Sequence, residues 1–232
     1  MRHRGPDSDG YWEDADAGLA LGHVRLAIVD LSPAGHQPMV SECGRYVLVL
    51  NGEIYNHLEL REQLQAQSKA PSWRGHSDTE TLLAALAAWG LERSLRSAVG
   101  MFAFALWDRQ ERSLALARDR LGEKPLYAGY AGNVFVFGSE LKSLVQVPGL
   151  DTDLDRGALA LLMRHNYIPA PFSIYKAVRK LLPGTWVVLN EADRQRRSIP
   201  QAHVYWSAHE TALQAGQNRL SFSSDKQAVE AL

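Results

Sequence analysis

The chain has 232 residues, 46% apolar and 22% charged, with a formal net charge of −1. It is long enough to bury the core of one large domain, or of one domain with an appended piece. A near-neutral balance without a Lys/Arg run excludes a nucleic-acid binder that works by neutralising phosphates, and no apolar stretch reaches bilayer-spanning length, so neither nucleic acid nor membrane is expected as a partner.

The opening MRHRGPDSDG packs His3, Arg4, Gly5, Pro6 and Asp7 into a loop of the kind found at sites. LALGHVRLAIVDL and GRYVLVLNGEIY are rich in aliphatic and β-branched residues and end in turn signals, which predicts two strands. Between them, in the polar turn SECGRY, lies Cys43. As the sole cysteine it can form no internal disulfide, which fits a cytoplasmic chain. No histidine or helix start is placed in sequence to activate its thiol. Asn56 with Glu59, and Ser77 with Glu80, have the spacing of capping boxes and predict two helix starts. The second helix carries Leu82, Leu83, Leu86 and Trp89 at core spacing, and LERSLRSA follows Gly90 as another short helix.

MFAFALWD sets Phe102, Phe104 and Leu106 against alanines, predicting a strand packed on both faces. RSLALARD and NVFVFGSE are further strands, SELKSLVQV a short helix, and LDRGALALLMRHN a longer one. YIPAPFSIY is a Pro-punctuated loop, and KLLPGTWVVL a turn entering a strand. The end, ALQAGQNRLSFSSDKQAVEAL, reads as a polar linker that becomes helical only at its last residues. Strands and helices fall in separate runs, so the expected class is α+β.

Asn51, Gly52 and Glu53 follow an apolar strand directly. Gly52 would allow close backbone approach to a ligand, and an Asn side chain with a neighbouring N–H can form an oxyanion hole. A plain Asn-Gly turn accounts for the same residues. Arg25 lies within an apolar run and, if buried, needs an anion, whereas an edge-strand arginine needs none. Asp78 at a helix start is explained equally by the helix dipole. Taken together, a cationic fork, two carboxylates and an anion hole suit an α-amino acid whose side-chain amide undergoes acyl transfer. That chemistry needs a nucleophile, which the local spacing does not offer.

Read in order, HRGPD, GHVRLAIVDLS, QPM, LNGEIYN, SDTE, GMFAFALWD, ARDRLGEKPLY, SELKSL and YIPAPFSIYKAVRKLLPGT resemble the glutaminase domain of glutamine-dependent asparagine synthetase, an N-terminal-nucleophile amidotransferase. The resemblance runs from Met1 to about Trp206. It implies a four-layer α-β-β-α sandwich of two antiparallel sheets, with residues 1–206 as the glutaminase domain. Residues 207–232 would be a linker into an ATP-dependent synthetase domain. It further implies that Arg25 and the backbone of Leu26, Ala27, Ile28 and Val29 hold the glutamine carboxylate, Glu53 and Asp78 the α-amine, and Asn51 and Gly52 the oxyanion.

In such domains the nucleophile is an N-terminal cysteine on a first strand, followed by a helix. Met1 resembles an internal methionine beyond both, so the expectation is a chain that keeps the glutamine pocket and lacks the nucleophile and the first strand. No cofactor is expected here, ATP and magnesium belonging to the synthetase part. The expected partners are glutamine and a synthetase domain or chain, and a homodimer is allowed. Two other readings stand beside this one: a non-catalytic glutamine-binding or regulatory subunit, and a mis-started or decayed reading frame without activity.

Overall fold

The computed structural model describes residues 2–217 and 221–230. The first elements are a hairpin of β1 (Ser8–Asp14) and β2 (Leu19–Arg25). Its turn is closed by Asp14, whose side chain accepts from the Ala17 N–H. β1 was not visible in the sequence, because SDGYWED is polar and exposes every second residue. β2 stops at Arg25, so the predicted strand through Leu31 is half strand and half loop. The loop is pulled out of register by Asp7, whose carboxylate accepts the Ala27 N–H at 2.8 Å.

β3 (Met39–Val40) and β4 (Tyr46–Ile54) come next, followed by α1 (His57–Ala66), α2 (Asp78–Trp89) and α3 (Leu91–Ser97). Asn56 does not cap α1. Its side chain instead donates to Ser97 O and accepts from Val99 N, fixing the α3 exit. At α2 only half of the predicted box forms. Ser77 Oγ accepts from Glu80 N, while the Glu80 carboxylate turns to the N–H groups of Arg74 and Gly75.

The strands β5 (Gly100–Asp108), β6 (Ser113–Arg118), β7 (Tyr127–Ala131) and β8 (Val134–Gly138) follow, then α4 (Leu141–Leu144) and α5 (Arg156–His165). The rest comprises β9 (Val178–Lys180), β10 (Thr185–Leu189), α6 (Glu191–Arg196), β11 (His203–Val204), α7 (Ala208–Gln217) and α8 (Asp225–Glu230). α7 corrects the expected irregular linker: Ser207 Oγ accepts from Glu210 N and opens a ten-residue helix. Of the predicted terminal helix, residues 231–232 lie outside the described residues.

The α+β sandwich follows from the two faces of β5. Phe102, Phe104 and Leu106 pack with Leu82, Leu83 and Leu86 of α2 in one core. Ala103, Ala105 and Trp107 point the other way, into a core shared with Leu21 of β2 and with Phe135 and Phe137 beside β7. A six-stranded antiparallel sheet, in the order β11-β10-β6-β5-β4-β3, therefore has helices on one side and strands on the other. The facing layer is in two pieces, β1-β2 and β8-β7-β9. Outside β8, Val136 meets Leu144 of α4 in a small third core, which supplies the fourth layer.

Candidate active site

Where the two pieces of the facing layer part, the structure opens a cleft of about 1200 Å³. All nine residues singled out in the sequence line it: Arg25, Leu26, Ala27, Ile28, Val29, Asn51, Gly52, Glu53 and Asp78. Arg25 is half-buried and is the last residue of β2, where the sequence placed it in the middle of an apolar strand. It donates to the backbone oxygens of Ser32, at 2.9 Å, and of Asp30. Gly35 makes room for it, since a Cβ there would lie 2.1 Å from Arg25 Nη2. The guanidinium has five N–H donors, so these contacts leave others for a ligand.

The backbone of 26–29 is less free than the sequence implied, because the Ala27 N–H is held by Asp7. The side chains of Leu26 and Ile28 are exposed. Gly5 explains the rest of the opening motif: it lies against the β2 backbone, and a Cβ would come within 2.3 Å of the Val24 carbonyl carbon. The unusual first loop is thus the buttress of the Arg25 loop.

Asn51 Nδ2 donates to Ser139 Oγ at 3.0 Å, linking β4 to the segment after β8. An Asn amide has two N–H donors, and this bond uses one. Gly52 has φ 148° and sits so near β5 that a Cβ would meet Met101 O at 2.0 Å. The Asn-Gly pair is therefore fixed by strand packing and is no free turn. Asp78 is buried, its two carboxylate oxygens accepting from Ile54 N and Thr79 N. Burial pushes its carboxyl up, against the pull of those hydrogen bonds.

Several contributors were not legible in the sequence. Asp30 is buried and accepts from Ser32 N and His76 N, which ties the Arg25 loop to the approach of α2. Hydrogen bonds from Ser32 first, then from the His76 N–H, hold its carboxyl down at about 2. Arg61 of α1 donates to Gly75 O, Ser77 O and Thr81 Oγ1, so α1 positions the loop that delivers Asp78. Gln37 brackets Leu50, accepting from its N–H and donating to its carbonyl, one residue before Asn51. The sequence carried a partial signal for Asp30, Gln37 and Ser139, which lie inside GHVRLAIVDLS, QPM and SELKSL, but gave none of them a role.

Cys43 lies elsewhere, in a shallow pocket with Arg45, Arg109 and Arg112 at the start of β4. Asn51 is five residues further along the strand than Tyr46, so the thiol is on the order of 15–20 Å from the oxyanion residues. Contrary to the sequence expectation, its pKa is lowered, chiefly by its hydrogen bond with Ser41 at 3.3 Å. Among the described residues no group of three His, Cys, Asp or Glu is placed to hold a metal ion, and no helix is long and apolar enough to cross a membrane.

The fold and this site define a class. A family model described as a glutamine amidotransferase domain matches residues 1–206, and the chain belongs to that family. It is 42% identical over 194 residues to a putative glutamine-hydrolyzing asparagine synthetase of Mycobacterium tuberculosis, covering 79% of this chain and 29% of the relative. It is 41% identical to asparagine synthetase [glutamine-hydrolyzing] 1 of Bacillus subtilis over 183 residues, 79% of this chain and 28% of the relative. The chain thus spans under a third of the length of these relatives. Among solved structures, the glutamine phosphoribosylpyrophosphate amidotransferase of B. subtilis superposes with a TM-score of 0.53 at 22% identity, covering 81% of this chain and 35% of that one. That likeness shows the shared fold.

Proposed function

We propose that the chain binds L-glutamine in the cleft and forms the glutamine-hydrolysing part of an asparagine-forming amidotransferase. The observation that supports this reading is the convergence of Arg25, Asn51, Gly52, Glu53 and Asp78 on one cavity. Arg25 takes the α-carboxylate by a charge-assisted fork. Glu53 and Asp78 take the α-ammonium. The second Asn51 N–H and the Gly52 backbone N–H stabilise the oxyanion formed when a nucleophile attacks the side-chain carbonyl. Collapse of that intermediate breaks the C–N bond and releases ammonia, and water then frees glutamate from the acyl-enzyme.

Among the described residues no thiol lines the cleft, since Cys43 lies in another pocket, and on this reading the given residues bind glutamine without supplying the nucleophile. The ATP-dependent amidation of aspartate, with its ATP and magnesium, belongs to a synthetase domain or chain that receives the ammonia. The test is glutamate release by the purified chain, with glutamine binding followed by calorimetry. Binding without turnover is expected. Robust turnover that disappears in Cys43→Ala would overturn the reading and make Cys43 the nucleophile.

A further inference from the structure

Asn51 shares a face of β4 with Val47 and Val49, which pack in the core toward the facing layer, so its side chain points the same way. Among the described residues that side chain makes one hydrogen bond, from Nδ2 to Ser139 Oγ. The last torsion of an Asn side chain is soft and roughly two-fold. A single bond therefore decides where the remaining N–H and the carbonyl oxygen of the amide face.

Ser139 has an anchor of its own. It lies between the end of β8 and the start of α4, and the next residue, Glu140, has extended backbone with φ −134° and ψ 136°. Successive side chains of an extended chain go to opposite sides. Ser139 lines the cleft, whereas Glu140 stands outside its lining and reaches the first loop. Glu140 Oε1 accepts from Arg4 Nε at 2.8 Å, and Oε2 lies 3.5 Å from His3 Nε2. The Glu140 backbone is fixed as well, its carbonyl accepting from Ser143 N at 3.2 Å and from Ser143 Oγ at 2.7 Å. Beside Arg4, Gly5 packs on β2 at Val24 and Arg25. A continuous path thus runs from the Arg25 end of the cleft through Arg4, Glu140 and Ser139 to Asn51.

We infer that Ser139 and Glu140 are positioning residues: Glu140, clamped by Arg4, holds Ser139 in place, and Ser139 aims the Asn51 amide at the side-chain carbonyl of the ligand. The inference rests on the glutamine reading of the cleft and extends it to specificity. A donor fixed in advance favours a ligand with a side-chain amide over one without it, and a freely turning donor does so less.

The experiment compares L-glutamine with L-norleucine, which keeps the α-carboxylate and α-ammonium but carries no side-chain amide. Calorimetry is run on the intact chain, on Ser139→Ala and Glu140→Ala, and on each of these in an Asn51→Ala background. Ser139→Ala should weaken glutamine binding about fivefold and Glu140→Ala about threefold, with norleucine within about twofold of the parent throughout. In the Asn51→Ala background neither change should move glutamine affinity by more than about twofold, because the residue they act on is gone. Unchanged glutamine affinity, equal losses for both ligands, or a full loss that persists without Asn51 would each overturn the inference. The Nδ2 proton resonances of Asn51, assigned by their absence in Asn51→Asp, give a measure that needs no ligand. Exchange of the bonded proton with water should quicken about fivefold in Ser139→Ala and about twofold or more in Glu140→Ala. Unchanged exchange in either variant would also overturn the inference. If the parent chain failed to bind glutamine, the glutamine reading would fall, and these exchange rates would still decide whether Ser139 and Glu140 hold the Asn51 amide.

Discussion

Replacing Arg25 with alanine separates its structural and binding roles. In the folded chain the guanidinium satisfies the Ser32 and Asp30 carbonyls and fills the space left by Gly35. Water can reach those carbonyls once the side chain is gone, so the loss of fold stability should be about 1 kcal/mol, or ~2–4 °C in Tm for a chain of this size. Binding should suffer more. A ligand carboxylate deprived of its fork loses about 2–5 kcal/mol when the pair is fully desolvated. Arg25 is only half-buried, which favours the lower end, about 2 kcal/mol or ~30-fold in Kd. Arg25→Lys keeps the charge without the fork and should fall between the two. Calorimetry with glutamine at 25 °C, beside thermal melts, gives both numbers. Equal affinities in the parent and Arg25→Ala chains, with the melt shifted as expected, would refute the assignment of the carboxylate to Arg25.

Asp119 is fully buried and accepts from the backbone N–H groups of Phe102, Leu121, Glu123 and Lys124. Asp119→Ala strands several donors at about 1–3 kcal/mol for each that finds no water, so a Tm drop of ~6 °C or more is expected, and a shift below ~2 °C would contradict it. Asp30 gives a pH signature, because its folded pKa of about 2 lies below the ordinary value near ~3.9. A depressed carboxylate stabilises fully above the unfolded pKa, and its contribution fades as pH falls through the folded one. The stability gap between the parent and Asp30→Asn should therefore narrow from about pH 4 to about pH 2 in denaturant titrations, whereas a constant gap would contradict the cause given.

The sequence showed most clearly what depends on periodicity. The bulky and small faces of β5 were legible because a strand between two cores must alternate, and the structure sends Phe102, Phe104 and Leu106 to one core and Ala103 and Ala105 to the other. β1 was not legible, since its stabilising partner is β2 and its own residues carry no apolar alternation. Asn56 and Glu80 misled for a shared reason. Capping spacing is local, but both side chains found better partners in distant loops. Arg25, Asn51, Gly52, Glu53 and Asp78 could be named because each residue type has a use at a site. The bond from Asn51 to Ser139 could not be anticipated, since 88 residues separate its partners and only the sheet arrangement joins them.

The two carboxylates assigned to the α-amine differ in a way their residue types conceal. Both oxygens of Asp78 already accept backbone N–H groups, from Ile54 at 2.8 Å and from Thr79 at 2.9 Å, so Asp78 joins the end of β4 to the start of α2. The Glu53 carboxylate, half-buried in the same cavity, accepts no hydrogen bond from the described residues. Asp78 therefore serves first as a structural staple, and Glu53 has the freer charge to offer an ammonium group. The matched substitutions should split accordingly. Asp78→Asn puts an amide N–H₂ against one of two buried backbone donors, which should cost about 1–3 kcal/mol of stability and weaken glutamine binding as well. Glu53→Gln breaks no contact, so its melt should match the parent within ~0.5 kcal/mol while its glutamine affinity falls about tenfold or more. Melts and calorimetry on both variants decide the matter. If Glu53→Gln bound glutamine as tightly as the parent, Glu53 would have no part in holding the amine, and the ammonium would have to be placed against Asp78 alone.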